Sequence, residues 1–359
     1  MSKPQLTEKE KRRRRYRRRR RIVMLVGVLI LAALVALLVW LISLVGGLIR
    51  GNAPAAPAEQ PAPVTTTTTY PTLPAAEVAS QLHMNSVLLY DETHDTVLYQ
   101  ANADTPAYPA SLTKMLTAAV AARYCPADTV FYLDTEQALV EWDASTAYLQ
   151  PDTPYSLPAM LDALLLPSGA DAAYCLAANT ARIHSGNADL SDTEAVETFI
   201  GYMNHIADEL GCTHSHFVTP DGYHRDDHYS TAADMLKIAR YAYSFDLIRQ
   251  SVSRVHSDYG DWYNSNYLIR SDDPNYYYPY ATGFKTGYTD EAGFCLAATA
   301  EKDGVRLFAI LLGSDSTEYR FLDAAALFER GFDLAYQQTT TTFSDYLQFF
   351  TTQTTCAPR

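Results

Sequence analysis

The hydrophobic pattern changes character three times along the chain. Residues 22–49 form an uncharged, largely apolar run of 28 residues. As a helix at 1.5 Å per residue the run is about 42 Å long, enough to cross a hydrocarbon layer of about 30 Å. It exceeds the apolar core of about 7–15 residues in a cleaved export signal. The pattern predicts one transmembrane helix, with "APAAPA" at 53–58 the one stretch resembling a cleavage site. Residues 50–77 are rich in Pro, Ala and Thr and hold almost no core formers, which predicts an extended linker. From 78 to 336 apolar residues recur with strand and helix periods, as a globular domain requires. Residues 337–359 begin "QQTTTTF" and read as a flexible tail.

Within 78–336, "NSVLLYDETHDTVLYQ" gives two β-rich runs around a polar turn, a hairpin. "SLTKMLTAAVAARY" (111–124) is apolar nearly all round, so it predicts a helix buried among others. Residues 159–181 read as two helices separated by "PSG" at 167–169. "STAADMLKIARYAYS" starts with the spacing of a capping box, Thr231 and Asp234. "GFKTGY", "GFCLAATAE" and "VRLFAILLG" read as three strands, the last two joined by a tight "KDG" turn. "STEYRFLDAAALFERGFDLAY" closes the domain as an amphipathic helix. Strands at both ends and helices between them predict an α+β fold whose two ends share one antiparallel sheet.

Charge sharpens the topology. Residues 1–50 hold thirteen of the 28 Lys and Arg and two of the 41 Asp and Glu. The other 309 residues keep 15 basic against 39 acidic side chains, a net charge of −24. So acidic a domain is a poor nucleic-acid partner. The Arg-rich residues 1–21 read as a cytoplasmic topology signal beside anionic lipid, which sends 50–359 to the extracellular or periplasmic side. Five cysteines (125, 175, 212, 295, 356) show no CxxC spacing, so no zinc knuckle. Cys125 and Cys175 pair if their helices touch; buried free thiols are the alternative.

Candidate chemistry starts with Ser111 and Lys114, which share one face of the predicted helix. A serine hydroxyl needs a base. A lysine serves only if its pKa falls from about 10.4 toward 7, a shift of roughly 4–5 kcal/mol that burial in an apolar helix supplies. Near a helix N-terminus Ser111 also has free N–H groups for an oxyanion. Taken alone, Ser-x-x-Lys more often marks an N-cap serine with a surface lysine, but a surface lysine would not need the apolar surroundings of Lys114. In "TGFKTGYTDEAG" (282–293), glycines 283 and 287 bracket Lys285 and Thr286. Glycine inside a strand marks close approach, so a cation and a hydroxyl would edge an open groove suited to a carboxylate. Ser168 in the "PSG" break places a third hydroxyl.

In chain order these are Ser-x-x-Lys, Ser-Gly-x and Lys-Thr-Gly, at 111, 168 and 285. The set resembles the signature of penicillin-binding proteins and serine β-lactamases. "HFVTPDGYHRDDHYSTAADMLKIARYA" (216–242) and "ATGFKTGYTDEAGFCLAATAEKDGVRLFAILLG" (281–313) look like the corresponding regions of the low-molecular-mass D-alanyl-D-alanine carboxypeptidases. The resemblance spans roughly 78–336. It implies a β-lactamase/transpeptidase-like fold, an antiparallel sheet flanked by a helical cluster, with no cofactor and no metal. It implies that Ser111 attacks the carbonyl between two terminal D-alanines of a peptidoglycan stem peptide, and that Lys114 takes its proton. Ser168 would relay a proton to the leaving amine. Lys285 and Thr286 would hold the terminal carboxylate, with Gly287 and Tyr288 beside them. The N–H groups of Ser111 and Tyr288 would form the oxyanion hole, and β-lactams would acylate the same serine.

Two departures stand out. The family's second motif reads Ser-x-Asn, and here its third position is Ala170, which has no amide to orient substrate or touch Lys114. The alternative this raises is an impaired peptidoglycan- or β-lactam-binding protein. Only 23 residues follow 336, too few for the family's β-rich C-terminal domain, so the N-terminal helix takes over anchoring. A β-lactamase needs a deacylating Glu-x-x-Leu-Asn, and 169–284 contains none. A zinc peptidase would draw on His214, His216, His224 and His228, but His-Glu-x-x-His is absent and these read as solvated loop residues. The tyrosines of "NYYYPY" (275–280) read as packing residues.

Overall fold

The computed structural model describes residues 81–335. The basic N-terminal residues, the apolar run at 22–49, the expected linker and the C-terminal residues lie outside the described residues. Among those described, no helix is long and apolar enough to cross a membrane.

Five strands form one antiparallel sheet: β1 (Ser86–Asp91), β2 (Thr96–Ala101), β5 (Ala281–Thr289), β6 (Gly293–Lys302) and β7 (Val305–Ser314), in the order β2-β1-β7-β6-β5. The first hairpin turns on Asp91, whose carboxylate accepts the N–H groups of Thr93 and His94. β6 and β7 are joined by Asp303 and Gly304, both at positive φ (48° and 84°). That is the primed two-residue turn whose twist matches the strands. All six β1 residues are buried, because β1 lies inside the sheet and both its faces are covered. Leu88 and Tyr90 join one core and Val87 and Leu89 the other, the alternation a strand imposes.

The second face is covered by the closing helix α7 (Thr317–Ala335), through Phe321, Phe328 and Phe332. Tyr278 of the tyrosine run stacks on Phe328, and Tyr276 packs on Phe321, as the packing reading expects. On the first face lies the helical cluster: α1 (Lys114–Tyr124), α2 (Leu157–Leu165), α3 (Ala170–Ser185), α4 (Asp192–Glu209), α5 (Ala232–Tyr243) and α6 (Asp246–Val252). α1 touches the other five, and Lys114–Ala121 are all buried. A helix apolar on every side requires such surroundings. A short hairpin, β3 (Val130–Phe131) with β4 (Tyr155–Ser156), borders the cluster.

The "PSG" break turns the chain between α2 and α3. Ser168 has φ +69°, and a Cβ on Gly169 would stand 2.7 Å from the Ala163 carbonyl oxygen and 2.8 Å from the Ala147 Cβ. Asp171, in the first turn of α3, accepts the N–H groups of Ala147 and Leu149 and so pins the segment facing the break.

Two expectations change in detail. Thr231 caps α5 by accepting the Asp234 N–H, but the reciprocal half of the box is not made. Asp234 instead accepts from the His214 N–H, Ser215 and Lys237, tying the 211–215 loop to α5. Cys125 and Cys175 are not paired; the four described cysteines are free and buried, and the Cys125 thiol donates to Thr180.

Candidate active site

A cleft of about 550 Å³ opens between the helical cluster and β5. Ser111 lies on its floor, in a 3-10 turn (Ala110–Thr113) that runs directly into α1. Lys114, the first residue of α1, is fully buried and also reaches the cleft. Its Nζ stands 3.0 Å from Ser111 Oγ and donates to the Asp221 carbonyl at 2.8 Å. Burial pushes the lysine pKa below its ordinary value, and the carboxylates of Asp221 and Asp171 oppose the shift. A lysine whose pKa is lowered, within reach of a serine hydroxyl, can act as a general base.

Ser168 forms part of the opposite rim of the helical wall. Its carbonyl accepts from Ser145 Oγ at 2.7 Å, but its own Oγ is buried without a partner. A buried hydroxyl left unpaired costs about 1–3 kcal/mol. The facing wall is β5. Thr286 lines it and shares a 2.7 Å hydroxyl–hydroxyl hydrogen bond with Ser265, another lining residue. A Cβ on Gly287 would stand 3.1 Å from the Pro109 carbonyl oxygen and 3.2 Å from the Ser111 nitrogen. Glycine therefore lets the strand backbone approach the nucleophile turn. Tyr288 follows at the rim, half-exposed, its hydroxyl donating to Asp290.

A family model described as D-alanyl-D-alanine carboxypeptidase, peptidase S11, matches residues 72–316. The chain belongs to the D-alanyl-D-alanine carboxypeptidase family. It is 28% identical to D-alanyl-D-alanine carboxypeptidase DacF of Bacillus subtilis, covering 66% of this chain and 58% of that one. Identity with the D-alanyl-D-alanine carboxypeptidase of Streptomyces sp. K15 is 31%, over 67% of this chain and 84% of the relative. Two of the curated relatives, DacF and Escherichia coli DacC, are spanned to only about three-fifths of their length (58% and 65%). The crystal structure of the Streptomyces K15 DD-transpeptidase superposes with a TM-score of 0.63 at 30% identity, covering 70% of this chain and 97% of that one. Penicillin-binding protein D2 of Listeria monocytogenes, in an ampicillin-bound form, gives 0.58 at 27% identity, covering 70% and 98%.

In this carboxypeptidase-family chain the fold brings Ser111, Lys114, Ser168, Thr286, Gly287 and Tyr288 to one cleft. Lys285 departs from expectation. It is fully buried on the face of β5 turned toward the helical cluster, off the cleft lining, and its Nζ donates to the Thr286 carbonyl at 2.9 Å. Burial, with Lys114 and Arg320 as neighbouring cations, pushes its pKa well down. Strand alternation puts Thr286 on the other face: Lys285 pairs with Ala297 of the helical-cluster core and Thr286 with Leu296 of the second core.

The guanidinium that does line the cleft is Arg320, from the first turn of α7. It is nine-tenths buried, Nη1 donates to the Gly287 carbonyl at 3.2 Å, and Nε has no partner. Burial lowers its pKa to about 10, which leaves it charged at neutral pH. Sequence reading missed Arg320, because one arginine on an amphipathic helix carries no signal. Ser265 was missed likewise, in a loop without periodicity. Ala170 is fully buried, its N–H donating to the Ser145 carbonyl at 2.7 Å. His224 reaches the cleft mouth, whereas His228 is buried and is not the solvated loop residue expected.

Proposed function

We propose that the protein is a serine D-alanyl-D-alanine carboxypeptidase that removes the terminal D-alanine of peptidoglycan stem peptides through an acyl-enzyme on Ser111. The observation that carries this reading is the 3.0 Å approach of a fully buried lysine amine to Ser111 Oγ. Neutral Lys114 takes the Ser111 proton as Oγ bonds to the carbonyl carbon between the two D-alanines. The developing oxyanion faces the Ser111 and Tyr288 N–H groups, a placement supported by the approach of Gly287 to the Ser111 nitrogen. The C–N bond then breaks, and the departing amine takes a proton from Lys114 relayed by the unpartnered Ser168 hydroxyl. Water hydrolyses the ester and restores Ser111. Arg320 and Thr286 meet the terminal carboxylate, Arg320 with an N–H to spare, while Lys285 holds the Thr286 carbonyl.

β-Lactams, which carry a strained amide and a carboxylate, enter the same reaction. The apolar run at 22–49 and the basic residues before it favour a single-pass membrane protein, N-terminus cytoplasmic and catalytic domain outside. Labelling with fluorescent penicillin tests the nucleophile: wild type becomes labelled and Ser111→Ala does not. Labelling that survives Ser111→Ala refutes the site. Ala170 favours a second reading, a protein that is acylated and turns over slowly. D-alanine release from a pentapeptide at catalytic turnover would discard it.

A further inference from the structure

His228 lines no part of the cleft, yet the catalytic turn leans on it. The imidazole is 2% exposed, at the end of the polar loop before α5. Nδ1 accepts the N–H groups of Val218 and Thr219 at 3.1 and 3.3 Å. Nδ1 therefore carries no proton, and the ring is the tautomer protonated on Nε2. Nε2 donates to Thr113 Oγ1 at 2.8 Å, at the end of the turn that carries Ser111. Burial, with His216, His224 and Arg225 adding positive charge around it, holds the ring's pKa down near 3. The imidazole is thus a neutral, two-sided bridge between segment 218–222 and the nucleophile turn.

That segment has one catalytic contact, the Asp221 carbonyl on Lys114 Nζ. Other contacts fix it to α1, to itself and to the Ser111 turn. Thr117 Oγ1 donates to the Pro220 carbonyl at 2.5 Å, and the Gly222 N–H donates to Thr219 Oγ1 at 3.2 Å. Gly222 has φ +80°, and a Cβ there would stand 1.9 Å from the Ala110 carbonyl oxygen. A neutral amine has two N–H bonds and one lone pair. If one N–H is held by the Asp221 carbonyl, rotation about the Cε–Nζ bond is restricted and the lone pair can be held toward Ser111 Oγ.

We propose that His228 is a positioning residue of the acylation step: it clamps segment 218–222 to the Ser111 turn, so that the Asp221 carbonyl aims the Lys114 lone pair at the nucleophile. This rests on the serine-peptidase reading above. The chemistry is unchanged: the Ser111 proton moves to Nζ as the ester bond forms, and the Asp221 carbonyl accepts an N–H throughout. The groups facing Lys114 are the Asp221 and Asp171 carboxylates, with Lys285 beyond. Loss of the clamp has two opposed effects on the amine. Losing the carbonyl acceptor disfavours the ammonium form, while water entering beside Lys114 favours it. Burial is the largest influence on this lysine, so water entry wins and its pKa rises.

The test is the penicillin acylation rate of the full chain as a function of pH. In His228→Leu the rate constant at neutral pH falls by about 30-fold or more, within the range for a mis-aimed general base, and the rising limb moves to higher pH. His228→Gln, with one acceptor and one donor, restores the limb to its wild-type position. Thr113→Val removes one contact and shifts the limb in the same direction by less. A purely structural role lowers the labelled fraction but leaves the limb of the folded fraction where it was. That result, or an unchanged rate in folded His228→Leu, overturns the proposal. If His228→Leu does not fold, Thr113→Val decides it: a limb moved to higher pH supports the clamp, and an unmoved limb overturns it. If wild type itself is not labelled, the serine-peptidase reading falls. The clamp is then judged by amide exchange in 218–222 of His228→Leu and Thr113→Val: faster exchange supports it and unchanged exchange overturns it.

Discussion

The two walls of the cleft are built on different principles. The helical wall is made of turns: Ala110, Ser168 and Gly222 have φ values of 48°, 69° and 80°. Such conformations cost a non-glycine residue of order 1–3 kcal/mol and persist only where neighbours fix them. The facing wall is the more regular one, the strand β5, paired with β6 in unbroken register from Gly283 to Thr289. The atoms proposed to react, Ser111 Oγ and Lys114 Nζ, belong to the turned wall. The groups suited to holding a carboxylate, Thr286 and Arg320, belong to the regular one. Of the two walls, the one carrying Ser111 and Lys114 holds the left-handed residues, and the other presents a strand ladder. Substitutions on the two walls are therefore expected to separate turnover from binding.

The largest effect is expected at the base. Lys114→Met lowers the acylation rate by about 10²–10⁴-fold. Because the folded-state pKa of Lys114 is depressed, the wild-type rate rises with pH along a limb below the ordinary lysine value, as the amine loses its proton. A pH–rate profile that keeps this limb in Lys114→Met would assign it elsewhere. Next comes the regular wall. Arg320→Leu lowers kcat/KM for a peptide with a free terminal carboxylate by about 30-fold or more, the effect of truncating one partner of a buried charge pair. The change falls mainly on KM, and a peptide amidated at that carboxyl is insensitive to the substitution. An equal loss for both peptides would remove Arg320 from carboxylate binding.

The two walls touch at Gly287, and Gly287→Ala tests how tightly. The new Cβ meets two backbone groups, the Pro109 oxygen and the Ser111 nitrogen, and must push them by a few tenths of an ångström. Acylation should slow by roughly 3–10-fold with little change in Tm, since misplacement by a full ångström costs about 100-fold. Normal kinetics in this variant would show the walls to be freer than the geometry suggests. The smallest change is expected from Ala170→Asn, which offers the turned wall an amide. Deacylation rises by about threefold, one ordinary hydrogen bond's worth, while penicillin acylation stays as it was. Faster acylation instead would link Ala170 to Lys114.

The sequence carried the fold well where local pattern and tertiary demand agree. "SLTKMLTAAVAARY" is apolar on every side because α1 is surrounded by five helices, and "KDG" turns where Asp303 and Gly304 take positive φ. Ser111, Lys114 and Ser168 were legible because each breaks a local rule, a lysine in an apolar helix and a serine in a helix break. Lys285 was half legible. Its strand was plain, but the side of the strand that faces the cleft is a tertiary fact. Arg320 and His228 obey local rules, an arginine on an amphipathic helix and a histidine in a polar loop. Only burial, which the chain acquires on folding, makes either one unusual.

The strand order has a temporal side. β1 pairs with β7, joining Ser86 to Leu312 across more than two hundred residues. Most of the helical cluster is complete in the chain before β5, β6 and β7 have been made. During synthesis β1 and β2 wait as a bare hairpin, and an isolated hairpin is at best marginally stable in water. The nucleophile's wall can therefore gather early, but the facing wall arrives last. No working cleft exists until the final fifth of the chain has docked, so a growing polypeptide carries its serine unarmed.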